Sequence, residues 1–307
     1  MKMTLRRQLC ISFYSVFTIF LVPPAQAGMT EEVVELPTCS LHIRVIQGSA
    51  AAAGPRFIMM DGVPLSGAVF KNLGEQLALR LNATSTLIDF PGVGGSTLKG
   101  EHYGWTPLRA CLRSYLATQP TSMLALTDLA MPVMAPLLHE FPKIRGLIIF
   151  NSVIKASEVH PPFPLSFLRC CPHLGVAVGS ITPGFFYKKR IRDIGLGRSD
   201  RVSPEEIQAL YTGIRKNHGL RRLATLMHDI ELDAETDRLI LDGLATPIPQ
   251  LFLWGEADPV LGSEYKKLPP FTANQHIIVI PQAKHFLMID FADEVTDAIA
   301  NWYVAIP

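Results

Sequence analysis

Charge and cysteine are scarce in this chain, and each scarcity excludes a class of function. Only 18% of the 307 residues are charged, and the formal net charge is +1 at pH 7. The sequence therefore predicts no basic surface for nucleic acid. The five cysteines form no C-x-x-C pair and no Cys/His cluster of zinc type, so no metal site is expected. The glycines at residues 92–95 do not fit G-x-G-x-x-G, which excludes a dinucleotide fingerprint there.

Long apolar runs are also missing, except for a short one at the N-terminus. Residues 1–27 combine a basic start, an apolar stretch at residues 9–22 and A-Q-A at residues 25–27. The stretch is too short for a spanning helix and is followed by two prolines. The pattern predicts a signal peptide cleaved before Gly28, export to the periplasm or the medium, and no stable membrane insertion afterwards. An uncleaved N-terminal anchor is the alternative.

Export would permit disulfides. Cys10 would be lost with the signal, which leaves Cys39, Cys111, Cys170 and Cys171. Four cysteines allow three complete pairings, and the sequence does not choose among them. A bond between the adjacent Cys170 and Cys171 is disfavoured because it would be strained. Free buried thiols are an equal alternative.

Apolar strand-like stretches alternate with helical patterns over most of the chain, which predicts a mostly parallel sheet covered by helices on both faces. The expected strands are residues 41–47, 57–60, 85–90, 123–126, 144–150, 250–254 and 276–280. Residues 153–245 contain helical patterns and Pro/Gly loops but no convincing strand. We therefore expect an α/β core at residues 28–152 and 246–307, interrupted by a helical cap at residues 153–245.

Four motifs follow predicted strands in a meaningful order. D-G-V-P stands at residues 61–64 and D-F-P-G-V-G-G-S at residues 89–96. Asp128 occupies a sharp turn between the strand at residues 123–126 and a helix-like stretch at residues 131–140. W-G-E-A-D-P-V then stands at residues 254–260, and A-K-H-F at residues 283–286.

The order of Asp128, Asp258 and His285 is the order of nucleophile, acid and histidine in α/β-hydrolases. On these motifs the chain resembles an α/β-hydrolase, over about residues 57–303. Its turn has aspartate where most members have serine, which is similar to the haloalkane dehalogenase and epoxide hydrolase branch. An aliphatic residue two positions before the nucleophile, here Leu126, is tolerated in that branch.

The resemblance implies a mechanism without metal or organic cofactor. Asp128 would attack the substrate carbon and form an alkyl ester. His285 would activate the water that hydrolyses this ester, and Asp258 would orient the imidazole. The backbone N–H groups of Val63 and Leu129 would form the oxyanion hole. The substrate would be a small apolar molecule, and the sequence does not indicate an oligomeric state.

The chain also departs from the family pattern. Asp61 stands where the family has histidine, and it brings a second carboxylate towards Asp128, which would raise the pKa of one of them. Dehalogenases hold the departing halide with side-chain donors, but Val63 and Leu129 have none. We therefore expect epoxide opening rather than dehalogenation. Tyr187 and Tyr211 are the candidate proton donors from the cap, although such tyrosines often only pack and bond a carbonyl.

Two other hypotheses remain open at this stage. In the first, the protein is an esterase-like or lactonase-like hydrolase in which Asp128 is the base for water. In the second, the changes at Asp61 and at the turn mark an inactive α/β-hydrolase scaffold that binds an apolar ligand without turnover.

Overall fold

The computed structural model describes residues 28–49, 54–268 and 272–306. The predicted signal peptide at residues 1–27 lies outside the described residues. Among the residues that are described, no helix is long and apolar enough to cross a membrane.

One mixed sheet organises the molecule. Its strands run in the order β1-β2-β4-β3-β6-β7-β8-β9, and the short β5 pairs with β2. The pairs from β4 to β9 are parallel, whereas β2 is antiparallel to β1, β4 and β5. The strands are β1 Gly28–Glu35, β2 Cys39–Gln47, β3 Arg56–Met60, β4 Thr84–Ile88, β5 Thr97–Leu98, β6 Ser122–Asp128, β7 Ile144–Ser152, β8 Gln250–Gly255 and β9 Gln275–Ile280.

The predicted mostly parallel α/β architecture is confirmed, and burial explains why its centre was easy to predict. Strands β6, β7 and β8 are buried on both faces and read as nearly continuous apolar runs. β1 was not predicted. It is an exposed edge strand whose sequence, G-M-T-E-E-V-V-E, has no alternation of apolar and polar residues.

Helices cover both faces of this sheet. α2, α3 and α9 pack over one buried apolar cluster, and α1 and α11 pack together over the other. The helices are α1 Lys71–Leu81, α2 Trp105–Leu116, α3 Ala130–Met134, α4 Leu165–Cys170, α5 Pro172–Ile181, α6 Gly184–Arg190, α7 Pro204–Arg215, α8 Gly219–Asp229, α9 Ala234–Leu244, α10 Leu287–Asp290 and α11 Ala292–Ala305.

The chain between β7 and β8 has no strand in its described residues and contains six α-helices, α4 to α9. Helix α7 begins with a capping box, in which Ser203 and Glu206 each bond the other's backbone N–H. Helix α9 packs on the core segment Ala135–Glu140. The last helix of the predicted cap thus packs against the core.

One disulfide joins the sheet to a covering helix. Cys39, at the start of β2, bonds Cys111 of α2 across a Cα–Cα distance of 5.7 Å, and both residues are fully buried. Cys170 and Cys171 are free, as the strain argument against a bond between them predicts, but they are exposed rather than buried. They follow one another at the end of a short cap helix, where neither side chain reaches the core.

Candidate active site

The turn after β6 holds Asp128 in a conformation that few residues adopt. Its φ angle is +51°, in the left-handed region where aspartate is tolerated better than most side chains. β6 ends at Asp128, and α3 begins at Ala130. The sharp reversal lifts the carboxylate above the carboxyl end of the sheet, where ligands of parallel sheets bind.

The carboxylate of Asp128 is held by two backbone donors. The Val63 N–H donates to Asp128 Oδ2 at 2.9 Å, and the Leu129 N–H also donates to this carboxylate. Gly62 allows this close approach, since a Cβ atom there would lie 2.3 Å from the Leu129 nitrogen and 2.7 Å from Asp128 Oδ2. The backbone N–H groups of Val63 and Leu129 thus both donate to the Asp128 carboxylate.

His285 and Asp258 form a buried pair beside this turn. His285 Nδ1 lies 2.8 Å from Asp258 Oδ2, and both side chains are more than nine-tenths buried. The other oxygen of Asp258 accepts the Val260 N–H at 2.7 Å. The pairing through Nδ1 leaves the opposite ring nitrogen, Nε2, as the free one. His285 and Asp128 both line the same cavity.

Asn151, which the sequence analysis did not single out, joins the two loops that carry this pair. Its Oδ1 accepts the Gly255 N–H at 2.8 Å, and its Nδ2 donates to the Lys284 carbonyl at 3.0 Å. Gly255 permits the close packing of these loops, because a Cβ atom there would lie 2.6 Å from the carbonyl oxygens of Ala283 and Lys284. The only sequence signal that pointed to Asn151 was its position at the end of β7.

The motif at residues 89–96 organises a loop rather than the reaction. Asp89 accepts the N–H groups of Gly67 and Gly95, and it also pairs with His42 and Arg44. Burial raises the pKa of Asp89, but these partners outweigh it and hold the pKa below its usual value. This anchored carboxylate fixes the loop beside the β3 turn.

Asp61 is a fully buried carboxyl group immediately after β3. Among the described residues, neither of its oxygens has a hydrogen-bond partner of good geometry, although the Gly62 N–H is near enough to lower its pKa. Burial and then the charge of Asp128 raise the pKa of Asp61 to about 8. At neutral pH Asp61 is therefore mostly the neutral acid. Of the two neighbouring carboxyl groups, Asp61 thus has a pKa raised above neutral pH by burial and by the charge of Asp128.

Charges around His285 favour its protonated form. Burial lowers the pKa of His285, but Asp258, Asp128 and Asp61 together raise it to about 9. Burial also raises the pKa of Asp128, and the His285 charge and the Val63 and Leu129 N–H groups oppose that rise. The resting site therefore contains His285 as an imidazolium that is paired with Asp258.

The cavity above these residues has a volume of about 440 Å³ and is almost entirely apolar. Of the two candidate cap tyrosines, Tyr187 lines it and Tyr211 does not. The Tyr187 hydroxyl donates to the Gly179 carbonyl at 2.9 Å, and its ring centroid lies 5.8 Å from that of Tyr211. Within the described ranges, no three His, Cys, Asp or Glu side chains are grouped so that they could hold a metal ion.

Solved structures with similar folds are enzymes of the α/β-hydrolase fold. The Cif epoxide hydrolase from Acinetobacter nosocomialis matches at 16% identity and a TM-score of 0.73, over 90% of this chain and 89% of its own. A thermophilic esterase from Thermogutta terrifontis matches at 20% identity and a TM-score of 0.68, over 89% and 98%. The epoxide hydrolase CorEH matches at 15% identity and a TM-score of 0.68, over 90% and 99%.

No family model and no curated protein sequence matches the chain. The structural matches establish the fold: the chain has the α/β-hydrolase fold that its motif order predicted.

Proposed function

We propose that the protein is a cofactor-free hydrolase that opens epoxides of small apolar molecules through a covalent ester on Asp128. One observation carries this proposal. The Asp128 carboxylate is cradled by the Val63 and Leu129 N–H groups and shares an apolar cavity with the His285–Asp258 pair.

In the first step the two oxygens of Asp128 have different roles. Oδ2 accepts the Val63 N–H, and we assign the attack on an epoxide carbon to Oδ1. The new C–O bond forms as the ring C–O bond breaks, and the electron pair of that bond passes to the ring oxygen. The alkoxide takes a proton from the His285 imidazolium and becomes a hydroxyl group.

The second step follows from the charge that the first step removes. Once Asp128 is an ester, one of the anions that raise the pKa of His285 has disappeared, and the imidazole becomes a base. It takes a proton from water, and the hydroxide adds to the ester carbon. The Val63 and Leu129 N–H groups stabilise the oxyanion. The bond between the ester carbon and the alkyl oxygen then breaks, the leaving alkoxide takes the proton from His285, and a diol departs. Asp128, left as the carboxylic acid, gives its proton to His285, which restores the starting state.

The source of the first proton differs from the cap tyrosine that the resemblance to epoxide hydrolases implies. A tyrosine hydroxyl has one proton, and that of Tyr187 is donated to Gly179, while Tyr211 does not line the cavity. The imidazolium of His285 lines the cavity and is protonated at neutral pH. Haloalkanes are less suitable substrates, because Val63 and Leu129 offer no side-chain donor to a halide.

A second candidate is ester or lactone hydrolysis with Asp128 as the base for water. Burial raises the pKa of Asp128, which makes its carboxylate a stronger base towards water. An esterase among the similar structures is compatible with this chemistry.

Single turnover in H₂¹⁸O separates attack by Asp128 from direct attack by water on an epoxide, and the absence of any epoxide turnover would favour the second candidate. With enzyme in excess over styrene oxide, we expect ¹⁸O in the Asp128 carboxylate and unlabelled oxygen in the first diol formed. Direct attack by water would put ¹⁸O into the product and leave Asp128 unlabelled, which would contradict the ester mechanism. Mass spectrometry of the peptide that contains Asp128 and of the product measures both in one sample.

We also propose that the protein is exported. The buried Cys39–Cys111 disulfide supports this, because structural disulfides are rare in reducing compartments. N-terminal sequencing of the protein from a periplasmic or medium fraction tests it, with Gly28 as the expected first residue; an intact Met1 in that fraction would contradict cleavage.

A further inference from the structure

The cap carries an unusual stretch of sequence. Between Glu158 and Asp193 the chain has no acidic residue, and its charged side chains are all basic. These are Arg169, Lys188, Lys189, Arg190 and Arg192. Surface helices of a globular domain normally mix both signs of charge. A stretch with only positive charges indicates a surface that binds a negatively charged partner.

The same stretch exposes large apolar side chains. Six of the eleven large hydrophobic residues that are exposed in the described chain fall within residues 163–186. Leu174, Val178 and Ile181 follow one face of α5 at i, i+4 and i+7, and Ile181 is 82% exposed. They form an apolar stripe along the outside of the cap.

Two aromatic groups extend this stripe. Phe185 and Phe186 of α6 are at least half exposed, and their ring centroids lie 4.1 Å apart. Phe163 is 66% exposed, and Arg190 of α6 donates to its carbonyl at 3.2 Å, which holds the Phe163 loop beside α6. Phe163, Val178 and Phe186 line one cavity, which brings the three segments together. We name the exposed residues of these segments the cap face: Phe163, Leu174, Val178, Ile181, Phe185 and Phe186.

The cap face adjoins the cavity, and we take the place where exposed cap-face residues line it as the cavity mouth. Phe163, Val178 and Phe186 line the cavity and are exposed to solvent. An exposed apolar patch of this kind marks a binding surface rather than an ordinary protein exterior. A molecule that covers the cap face therefore also lies at the mouth through which a ligand of Asp128 must pass.

Basic side chains border the cap face. Lys189 is 68% exposed and pairs with Asp193, the acid that ends the stretch. Lys188 bonds Gln208, and Arg190 bonds a carbonyl, so neither has an acidic partner in the described structure. Aromatic and aliphatic side chains beside lysine and arginine are typical of helices that lie in the headgroup region of an anionic bilayer.

We propose that the cap face docks on an anionic lipid bilayer, with its apolar side chains in the headgroup region and the cavity mouth towards the acyl chains. Apolar epoxides then reach Asp128 from the membrane; only this route rests on the proposed function. The docking itself does not depend on the reaction. Complementary charge selects a lipid surface over an uncharged partner.

A polarity-sensitive thiol dye placed on the cap face tests the docking. Cys10, Cys170 and Cys171 are changed to serine, and the dye is attached to the full chain through Phe185→Cys or, as a control, Leu79→Cys on α1. Both positions are more than half exposed and neither lines the cavity. We expect blue-shifted emission only from the dye at position 185, and only with vesicles that mix phosphatidylglycerol into phosphatidylcholine.

The contribution of positive charge to vesicle binding is tested at two matched ion pairs. Lys189 and Lys71 are exposed lysines that each pair with an acid four residues later. Lys189→Gln should weaken vesicle binding about fivefold, as expected for one cation near an anionic surface, and Lys71→Gln should not change it.

Three outcomes would overturn the proposal: no shift at position 185 with anionic vesicles, an equal shift at position 79, or equal binding to neutral vesicles. A lipid-free shift at position 185 that grows with protein concentration would also overturn it and would assign the cap face to a second copy of the chain. No substrate is present, so an inactive enzyme would give the same lipid result.

Discussion

At the residue scale, Asp61 is the group whose protonation most affects the site. It is fully buried, and the charge that a second ionised carboxylate would add beside Asp128 is avoided because Asp61 keeps its proton. A neutral Asp61 adds no second negative charge beside Asp128.

Asp61 predicts a specific pH dependence of stability. Its folded pKa of about 8 lies above the unfolded value of 3.8, so its contribution to stability is complete below pH 4 and is lost as the pH rises to 8. Asp61→Asn removes this loss. Relative to wild type, the variant should gain about 2–4 kcal/mol in unfolding free energy between pH 5 and pH 8, measured by urea denaturation.

Asp89→Asn is the control. Asp89 is also buried, but its pKa is lowered, so wild-type Asp89 is ionised throughout the range from pH 5 to pH 8. Its substitution should cost the same stability at both pH values. A pH-independent difference between Asp61→Asn and wild type would show that Asp61 is not the neutral acid.

The cap tyrosines give a second prediction at this scale. Tyr187→Phe and Tyr211→Phe should each lower kcat on styrene oxide by less than about fivefold, since the first proton comes from His285. Loss of a true general acid costs about 10²–10⁴-fold. A loss of that size in either variant would assign the proton to the tyrosine.

At the element scale, the carboxyl ends of the parallel strands bring the site together. Asp61, Asp128, Asp258 and His285 each end or follow a different strand, β3, β6, β8 and β9, and they meet because neighbouring parallel strands end at one edge. Asn151, at the end of β7 between β6 and β8, ties the loops after β8 and β9 together.

Asn151→Ala should therefore affect the reaction as well as the fold. We expect kcat to fall about 10–100-fold, because the His285 and Asp258 loops lose their common anchor, and unfolding free energy to fall by about 1–3 kcal/mol. Gln250→Ala is the matched control: Gln250 is equally buried and bonds the Leu244 carbonyl at 2.8 Å from the opposite end of β8. It should lose similar stability with kcat within about twofold of wild type; equal losses of kcat would reduce Asn151 to a structural role.

Sequence patterns predicted the elements that burial controls. The central strands and the order of Asp128, Asp258 and His285 were evident because apolar runs and turn motifs are local signals. β1 was missed because its register is set by pairing with β2 rather than by its own pattern. The role of Asn151 and the isolation of Asp61 depend on contacts between residues more than a hundred positions apart or on burial, which no local pattern contains.

At the scale of the whole molecule, the disulfide and the candidate site lie at different parts of the sheet. Its edge at β1 and β2 is fastened by the Cys39–Cys111 disulfide, and its carboxyl edge holds the site beneath the cap. The disulfide joins β2 to α2, whereas the candidate site residues end or follow other strands. We therefore expect the disulfide to act on stability alone.

Replacing Cys39 and Cys111 together by alanine should lower unfolding free energy by about 2–5 kcal/mol, because the bond closes a loop with a sequence separation of 72. Activity at 25 °C should be retained in the folded fraction. Replacing the exposed Cys170 and Cys171 by serine should change stability by less than about 0.5 kcal/mol. Urea denaturation of both variants measures this, and equal stability of the two would contradict the account.

The central claim is that Asp128 is the nucleophile, and a trapped intermediate tests it most directly. His285→Gln removes both the base that hydrolyses the ester and the acid that protonates the ring oxygen, so ester formation is slowed about 10²–10⁴-fold while ester hydrolysis is blocked. The full-length variant is therefore incubated for many hours with a panel of small epoxides and with haloalkanes, which need no proton to react, and is analysed by intact-protein mass spectrometry. Asp128→Asn/His285→Gln is the control. The account predicts a mass increase equal to one intact epoxide, mapped to Asp128 and absent from the control. No adduct with any electrophile, or an adduct that persists in the control, would contradict it.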